Sequence, residues 1–239
     1  MLQKKIPKSF ETTIFKSLFH KGCYLLPKKR DTKQFGLKHK YICAILRNLV
    51  LNYWIVIHNI RKKHLKELCE AYSGNNLVLL SNKYDVPPYQ LYLWLTKDCK
   101  CKSAEKNIAI KSDHFTFQKS QTASLRFEKA IGKDLSNINI SYKTQDDLLG
   151  QKLTPDFLLE NPIMFMDSKV YWIDAKNFYG GDNSFTQRSL QKQAQKYNEA
   201  FGSGMFIFRY SCCETLTVKN TILVSYGCFK SNINSIYYV

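Results

Sequence analysis

Apolar residues recur at helical spacing in the first half of the chain and alternate with polar ones in the second. Over 41–60, Ile42, Ile45, Leu46, Leu49 and Tyr53 fall on one helical face. Arg47, Asn48, Asn52, His58 and Asn59 interrupt the run, so a buried core helix is expected there and not a membrane span. After a break near His58 the pattern resumes as a basic helix over 62–72, closed by the polar loop 73–76. Two short helices follow, over 77–83 and 89–98, with a turn at 84–88. Leu91, Trp94 and Leu95 point inward, and Pro87 or Pro88 suits a first helical position. This pair reads as helix-turn-helix-like. The stretch 100–121 is polar and lysine-rich, with the character of a linker. Thr122 or Ser124 then caps a helix running to about Leu135, whose stripe is Leu125, Ile131 and Leu135.

Beyond that helix the period drops to two. A short strand is expected over 138–142, then a capped turn at Asp146-Asp147, a strand around Asp156 and another over 170–175. Alternation places Val170, Trp172 and Asp174 on one face and Tyr171, Ile173 and Ala175 on the other. Asp174 and Lys176 therefore share a face, and a hairpin brings Asp156 beside them. The glycine-containing loop 177–182 leads to a helix over 186–201, with Gly202 just past its end. Leu190, Gln193, Tyr197 and Phe201 fall on one side of that helix, and apolar strands over 205–210 and 221–229 complete the sheet. The expected architecture is an α/β core with a mixed central sheet flanked by helices, preceded by a basic all-helical region. Its segments are 1–40 (basic), 41–121 (helical, with the linker) and 122–239 (the α/β domain).

Charge adds a partner. The chain carries a formal net charge of +17, and 23 of its 36 Lys and Arg fall in residues 1–121 against 8 acids. A basic half joined to a nearly neutral one points to a polyanion, nucleic acid before an acidic protein. The eight cysteines include the close pairs Cys99-x-Cys101 and Cys212-Cys213, which suit neither ordinary bridges nor a known zinc-site class. With no secretory signal before them, reduced thiols in a nuclear or cytoplasmic protein are expected. The basic runs 28–30 and 61–63 have the form of import signals.

Two carboxylates and a lysine meeting at strand ends are what a metal-dependent phosphodiesterase requires. Hard divalent cations, Mg²⁺ or Mn²⁺, take carboxylate oxygens. A lysine can orient an attacking water or neutralise charge developing on phosphate. Arg188, Lys192 and Lys196 on the late helix can contact backbone phosphates.

The ordered set TPDF (154–157), WIDAK (172–176), Gln193-x-x-x-Tyr197 and Phe201-Gly202-x-Gly204 resembles the PD-(D/E)XK nuclease superfamily. Within it, the set is most similar to the codanin-interacting nuclease family, whose members carry the TPD signature. The resemblance spans roughly residues 70–229. It implies a restriction-endonuclease-like core and a helix before the first core strand that supplies a glutamate, here Glu128. It further implies a metal set of Glu128, Asp156, Asp174 and the carbonyl of Ala175, with Lys176 as the catalytic lysine. Gln193 and Tyr197 would either hold a phosphate or fix helix to sheet. The chain departs from the family where a glutamate is usual at Asp174, and where an acid is common two residues before Glu128. Arg126 occupies that second position and can lend a phosphate contact instead. The implied activity is hydrolysis of nucleic acid, DNA before RNA, with a codanin-like scaffold as protein partner and no membrane. Two rival readings are a nuclease-fold adaptor that binds the scaffold without cutting, and a helix-turn-helix DNA-binding module with an inert second domain.

Overall fold

The computed structural model describes residues 5–20, 23–57, 60–98, 104–114 and 121–239. It divides into two compact units, Glu11–Lys119, and Ser120–Val239 together with Met1–Phe10. His58, Cys99 and Cys101 lie outside the described residues. Cys23, Cys43, Cys212, Cys213 and Cys228 are free thiols. Cys69 is disulfide-bonded, a departure from the expectation of reduced thiols throughout.

The first unit is helical. After α1 (Lys8–Leu18), which crosses the boundary between units, comes α2 (His39–Ile57). Its residues Ile42, Leu46 and Val50, each one turn after the last, are fully buried beside Ile45. The described chain resumes with α3 (Ile60–Ala71), and the break expected near His58 lies outside the described residues. The next helix, α4 (Leu77–Tyr84), ends where Asp85 turns left-handed at φ 52° and the Val86 N–H donates to the Ser81 carbonyl at 3.0 Å. Pro88 opens α5 (Pro88–Asp98), where its missing N–H costs nothing, and the Asp113 carboxylate accepts the Tyr89 N–H at 3.1 Å. Leu91, Trp94 and Leu95 pack with Leu68, Leu77, Leu80 and Ala109. The segment read as a linker contains a further helix, α6 (Ala104–Ser112). Its inward face pairs Ala109 with a buried acid, Glu105, which accepts a hydrogen bond from the Tyr72 hydroxyl. An acid on the buried face hides the apolar stripe. No helix among the described residues is long and apolar enough to cross a membrane.

The second unit is the α/β core. It opens with α7 (Gln121–Asn137), already helical at Gln121, so Thr122 and Ser124 lie inside the helix instead of capping it. Phe127, Ile131 and Leu135, at four-residue steps, form its buried face. Leu125 is 55 % exposed, because the six-residue step to Ile131 carries it off that face. The expected strand over 138–142 shrinks to β1 (Tyr142–Lys143). Asn139 takes φ 60° and the Ile140 N–H bonds back to the Leu135 carbonyl at 3.1 Å, so these residues terminate the helix.

The sheet continues with β2 (Phe157–Phe165), β3 (Ser168–Lys176), the crossover helix α8 (Ser184–Phe201), β4 (Gly204–Phe208) and β5 (Thr221–Ser225). Its order is β1-β2-β3-β4-β5, antiparallel from β1 to β3 and parallel from β3 to β5. The span 221–229 is strand only to Ser225. There the Ser225 hydroxyl accepts the Cys228 N–H at 3.0 Å and starts α9 (Tyr226–Asn232). The last strand, β6 (Tyr237–Tyr238), pairs with the far end of β2. Helices α7 and α9 pack in one core with Ile173, Met205, Ile207 and Val224. Trp172 instead meets Tyr197 of α8 and Phe206, with ring centroids 5.1 and 5.2 Å apart. A Cβ on Gly204 would collide with the Trp172 ring, so this close approach requires glycine. Val170 does not share Trp172's side as strict alternation predicts. A register shift in β2 between Leu158 and Ile163 carries it into the core with Ile173.

Candidate active site

The β2–β3 hairpin assembles the acids. Phe157 pairs with Ile173, so Asp156, one residue further out, stands opposite Asp174. Asp156 reaches across the strands, and its Oδ2 accepts the Ala175 N–H at 2.6 Å. Its Oδ1 accepts from the Gln145 amide at 2.7 Å. Asp174 shares Trp172's parity and is therefore buried under α8, 4 % exposed. Its two oxygens are divided: Oδ1 lies 2.5 Å from Lys176 Nζ, and Oδ2 accepts the Gln193 amide at 2.8 Å. Gln193 closes the ring, because its Oε1 accepts from Lys176 at 2.8 Å. Its Nε2 also reaches the Tyr197 hydroxyl at 3.2 Å, and that hydroxyl donates to the Thr154 carbonyl at 3.3 Å. Asp174, Lys176, Gln193, Tyr197 and the start of the TPD tripeptide thus form one hydrogen-bonded group.

This arrangement strains charge. Burial, then the neighbouring Asp174, push the Asp156 carboxyl up to about 7. Asp174 is also raised by burial, against the opposing pull of Lys176 and the Gln193 amide. Glu128, half-buried on α7, is raised first by burial and then by Asp174, which brings it into the same electrostatic field. Two crowded carboxylates of elevated pKa are the donor chemistry a hard divalent cation satisfies, since the cation relieves the repulsion that otherwise holds a proton. Asp156 and Asp174 fit that chemistry. Among the described residues, however, no three His, Cys, Asp or Glu side chains are gathered closely enough to hold a metal together, so Glu128 is near the pair without joining it.

The other sequence-predicted residues divide. Lys192 and Lys196 line a cleft of about 290 Å³ together with Gln193, Tyr197, Lys152, Leu153, Thr154 and Ser189. Arg188 turns back along its own helix, its Nε donating to the Ser184 carbonyl at 2.9 Å. Arg126 is exposed on α7, roughly 200° around the axis from Glu128, and is not gathered with it. Asp147 accepts from the backbone and hydroxyl of Thr144, both at 2.7 Å, so the Asp146-Asp147 pair is a capped turn as expected. Gln145, Lys152 and Ser189 were not singled out by sequence. The first two belong to irregular chain between β1 and β2, where no periodicity assigns a direction.

Behind the site, Arg209 locks α7 to the end of β3. Its Nη1 donates to the Ala123 carbonyl at 3.3 Å and to the Asn177 amide oxygen at 2.9 Å. The Asn177 amide in turn donates to the Ser124 hydroxyl at 3.3 Å. The loop glycine Gly180 is packed against Phe208, with a notional Cβ 2.7 Å from its ring, which assigns this glycine to packing.

Comparison with known proteins converges on the same segment. The model of a family described as "Protein of unknown function TPD sequence-motif" matches residues 98–227, more than half of the chain. An uncharacterised protein of Acanthamoeba polyphaga mimivirus is 38% identical over 121 residues, 48% of this chain and 44% of its own length. The CDAN1-interacting nuclease 1 of Gallus gallus is 34% identical over 104 residues, covering 41% of this chain and 38% of that protein. The Homo sapiens protein of the same name is 31% identical over 99 residues, covering 40% and 34%. The matches thus span less than half of each relative's length. No solved structure matches the chain. The matched segment includes the hairpin, the TPD tripeptide and α8, and on that basis the chain belongs to the TPD-motif family, that of the codanin-interacting nucleases.

Proposed function

We propose that this protein is a Mg²⁺- or Mn²⁺-dependent nuclease of the PD-(D/E)XK type that hydrolyses phosphodiester bonds in DNA. The observation that carries the reading is the buried Asp174–Lys176–Gln193 ring beside Asp156, opening beside a lysine-lined cleft. Asp156, Asp174 and the Ala175 carbonyl would hold the cation, which when bound supplies positive charge and Lewis acidity at the phosphate, with the Glu128 carboxylate close by but outside that set. Lys176, only 12 % exposed at its side chain, is held by Asp174 and Gln193 with little freedom to reorient. An ammonium fixed in this way stabilises charge developing on phosphate oxygens without reorganising during the reaction. Gln193 sets the Lys176 position and Tyr197 ties Gln193 to the TPD loop, so α8 positions the lysine from outside the sheet.

The relatives' printed name supports a codanin-like scaffold as protein partner. A place in nucleus and cytoplasm rests on the basic runs and cysteine usage of the sequence alone. The α4–α5 pair, read from sequence as helix-turn-helix-like, is assigned a supporting role, because Leu91, Trp94 and Leu95 are spent on its own core.

Labelled single-stranded, duplex, flap and junction forms of DNA and RNA, incubated with Mg²⁺ or Mn²⁺, test the assignment. DNA substrates are expected to be cut. Cutting of RNA alone would overturn the choice of DNA.

A further inference from the structure

The cleft beside the catalytic group has a composition that the hydrolytic chemistry does not require. One wall is a single stripe of α8: Ser189, Lys192, Gln193, Lys196 and Tyr197, at steps of three and four. The other is the loop leading into the TPD tripeptide, Lys152, Leu153 and Thr154. Three lysines line the cleft and no acidic residue does. None of Lys152, Lys192 and Lys196 has an ion pair among the described residues, and the Ser189 hydroxyl has no hydrogen-bond partner there. Unneutralised lysines that converge from two chain segments repel one another, and an anion between them removes that cost. The cleft adjoins the reaction centre, since Gln193 and Tyr197 belong to both.

We propose that this cleft is a phosphate-binding subsite of the nucleic-acid strand, in which Lys152, Lys192, Lys196 and Ser189 hold a phosphate next to the one being attacked. The assignment rests on the nuclease reading for the identity of the strand, but the binding itself needs no metal. At about 290 Å³ the cleft is at the small end of ligand sites and accepts one phosphate with part of its sugar. Lysines suit this task as mobile point charges, and serine adds a neutral hydroxyl donor that can turn toward a phosphate oxygen. Arg188 and Arg126 are not part of the subsite. Its register fixes the strand relative to Lys176, so it sets where the strand is cut.

The test measures binding of fluorescent single-stranded oligonucleotides to the full chain in EDTA, where no cleavage intervenes. Lys152→Gln/Lys196→Gln is compared with Lys133→Gln/Lys219→Gln, which removes the same charge from exposed positions elsewhere. The cleft variant is expected to bind about tenfold or more weakly, with a shallower salt dependence, and the control within about twofold. Linear strands with a 5′-phosphate, with a 5′-hydroxyl, and closed circles separate the sources. Preferential binding of the phosphorylated end, lost in the cleft variant, identifies a terminal phosphomonoester. Equal binding of all three, equally weakened, identifies an internal phosphodiester. Equal affinity of cleft and control variants overturns the subsite. Failure of the nuclease reading would show separately, as intact binding with no cleavage when metal is added.

Discussion

At the scale of single residues, Asp156 carries the most telling charge. Its carboxyl has an ordinary pKa of 3.8 and titrates at about 7 in the fold, because burial and Asp174 disfavour its ionised form. Between those values the unfolded chain ionises while the native state keeps its proton. Stability is therefore lost as pH rises from about 4 to about 7, and stays reduced above that. Asparagine can still accept the Ala175 N–H without the charge. Asp156→Asn in EDTA is expected to be more stable than wild type at pH 8 by on the order of 1–2 kcal/mol, less than the full shift because the side chain is partly exposed. At pH 4 the advantage should vanish. Urea midpoints at the two pH values measure it, and an equal loss of stability at both would mean that the fold holds Asp156 ionised. Added Mn²⁺ should raise the wild-type midpoint and leave the variant unchanged.

At the scale of elements, the site depends on α7 and on the hairpin keeping their relation. Arg209 and Asn177 are the polar link from the ends of β3 and β4 to the first turns of α7, which carries Glu128 one turn further on. Arg209→Ala removes two hydrogen bonds and the guanidinium over the Phe127 ring, and should cost about 1–3 kcal/mol. Faster amide exchange confined to α7, with cleavage reduced further than binding, would mark it as a positioning residue. Exchange raised evenly over the whole sheet would contradict that role. The hairpin itself was legible in sequence. Strand propensity with parity over 170–176 put Asp174 and Lys176 on one face, and the TPD segment supplied the opposing acid. Val170 escaped because a β-bulge is invisible to a period-two count. Helix α6 escaped because Glu105 is buried on its inward face, and α9 because a single serine cap converts an apolar strand pattern into a helix. The cleft was half legible: α8 announced Lys192 and Lys196 by helical spacing, whereas Lys152 lies in irregular chain whose direction only the fold decides.

For the whole molecule, charge acts on two ranges. The first 121 residues hold a net +15 and the remainder only +2, yet the cleft lies in the nearly neutral part. Net charge therefore reports attraction to a polyanion, and the local lysines report where a strand is held. Oligonucleotide affinity in EDTA should fall steeply with salt, with a log–log slope reflecting on the order of four or more phosphate contacts, and a flat response would contradict a nucleic-acid partner. Metal-dependent cutting by wild type beside Asp174→Ala, on a DNA that both bind equally in EDTA, tests the central claim most directly. Wild type is expected to cut only with Mg²⁺ or Mn²⁺, and the variant to lose about a hundredfold or more of that rate while keeping its affinity. Undiminished cutting by the variant, or none by wild type on any DNA it binds, would contradict the claim.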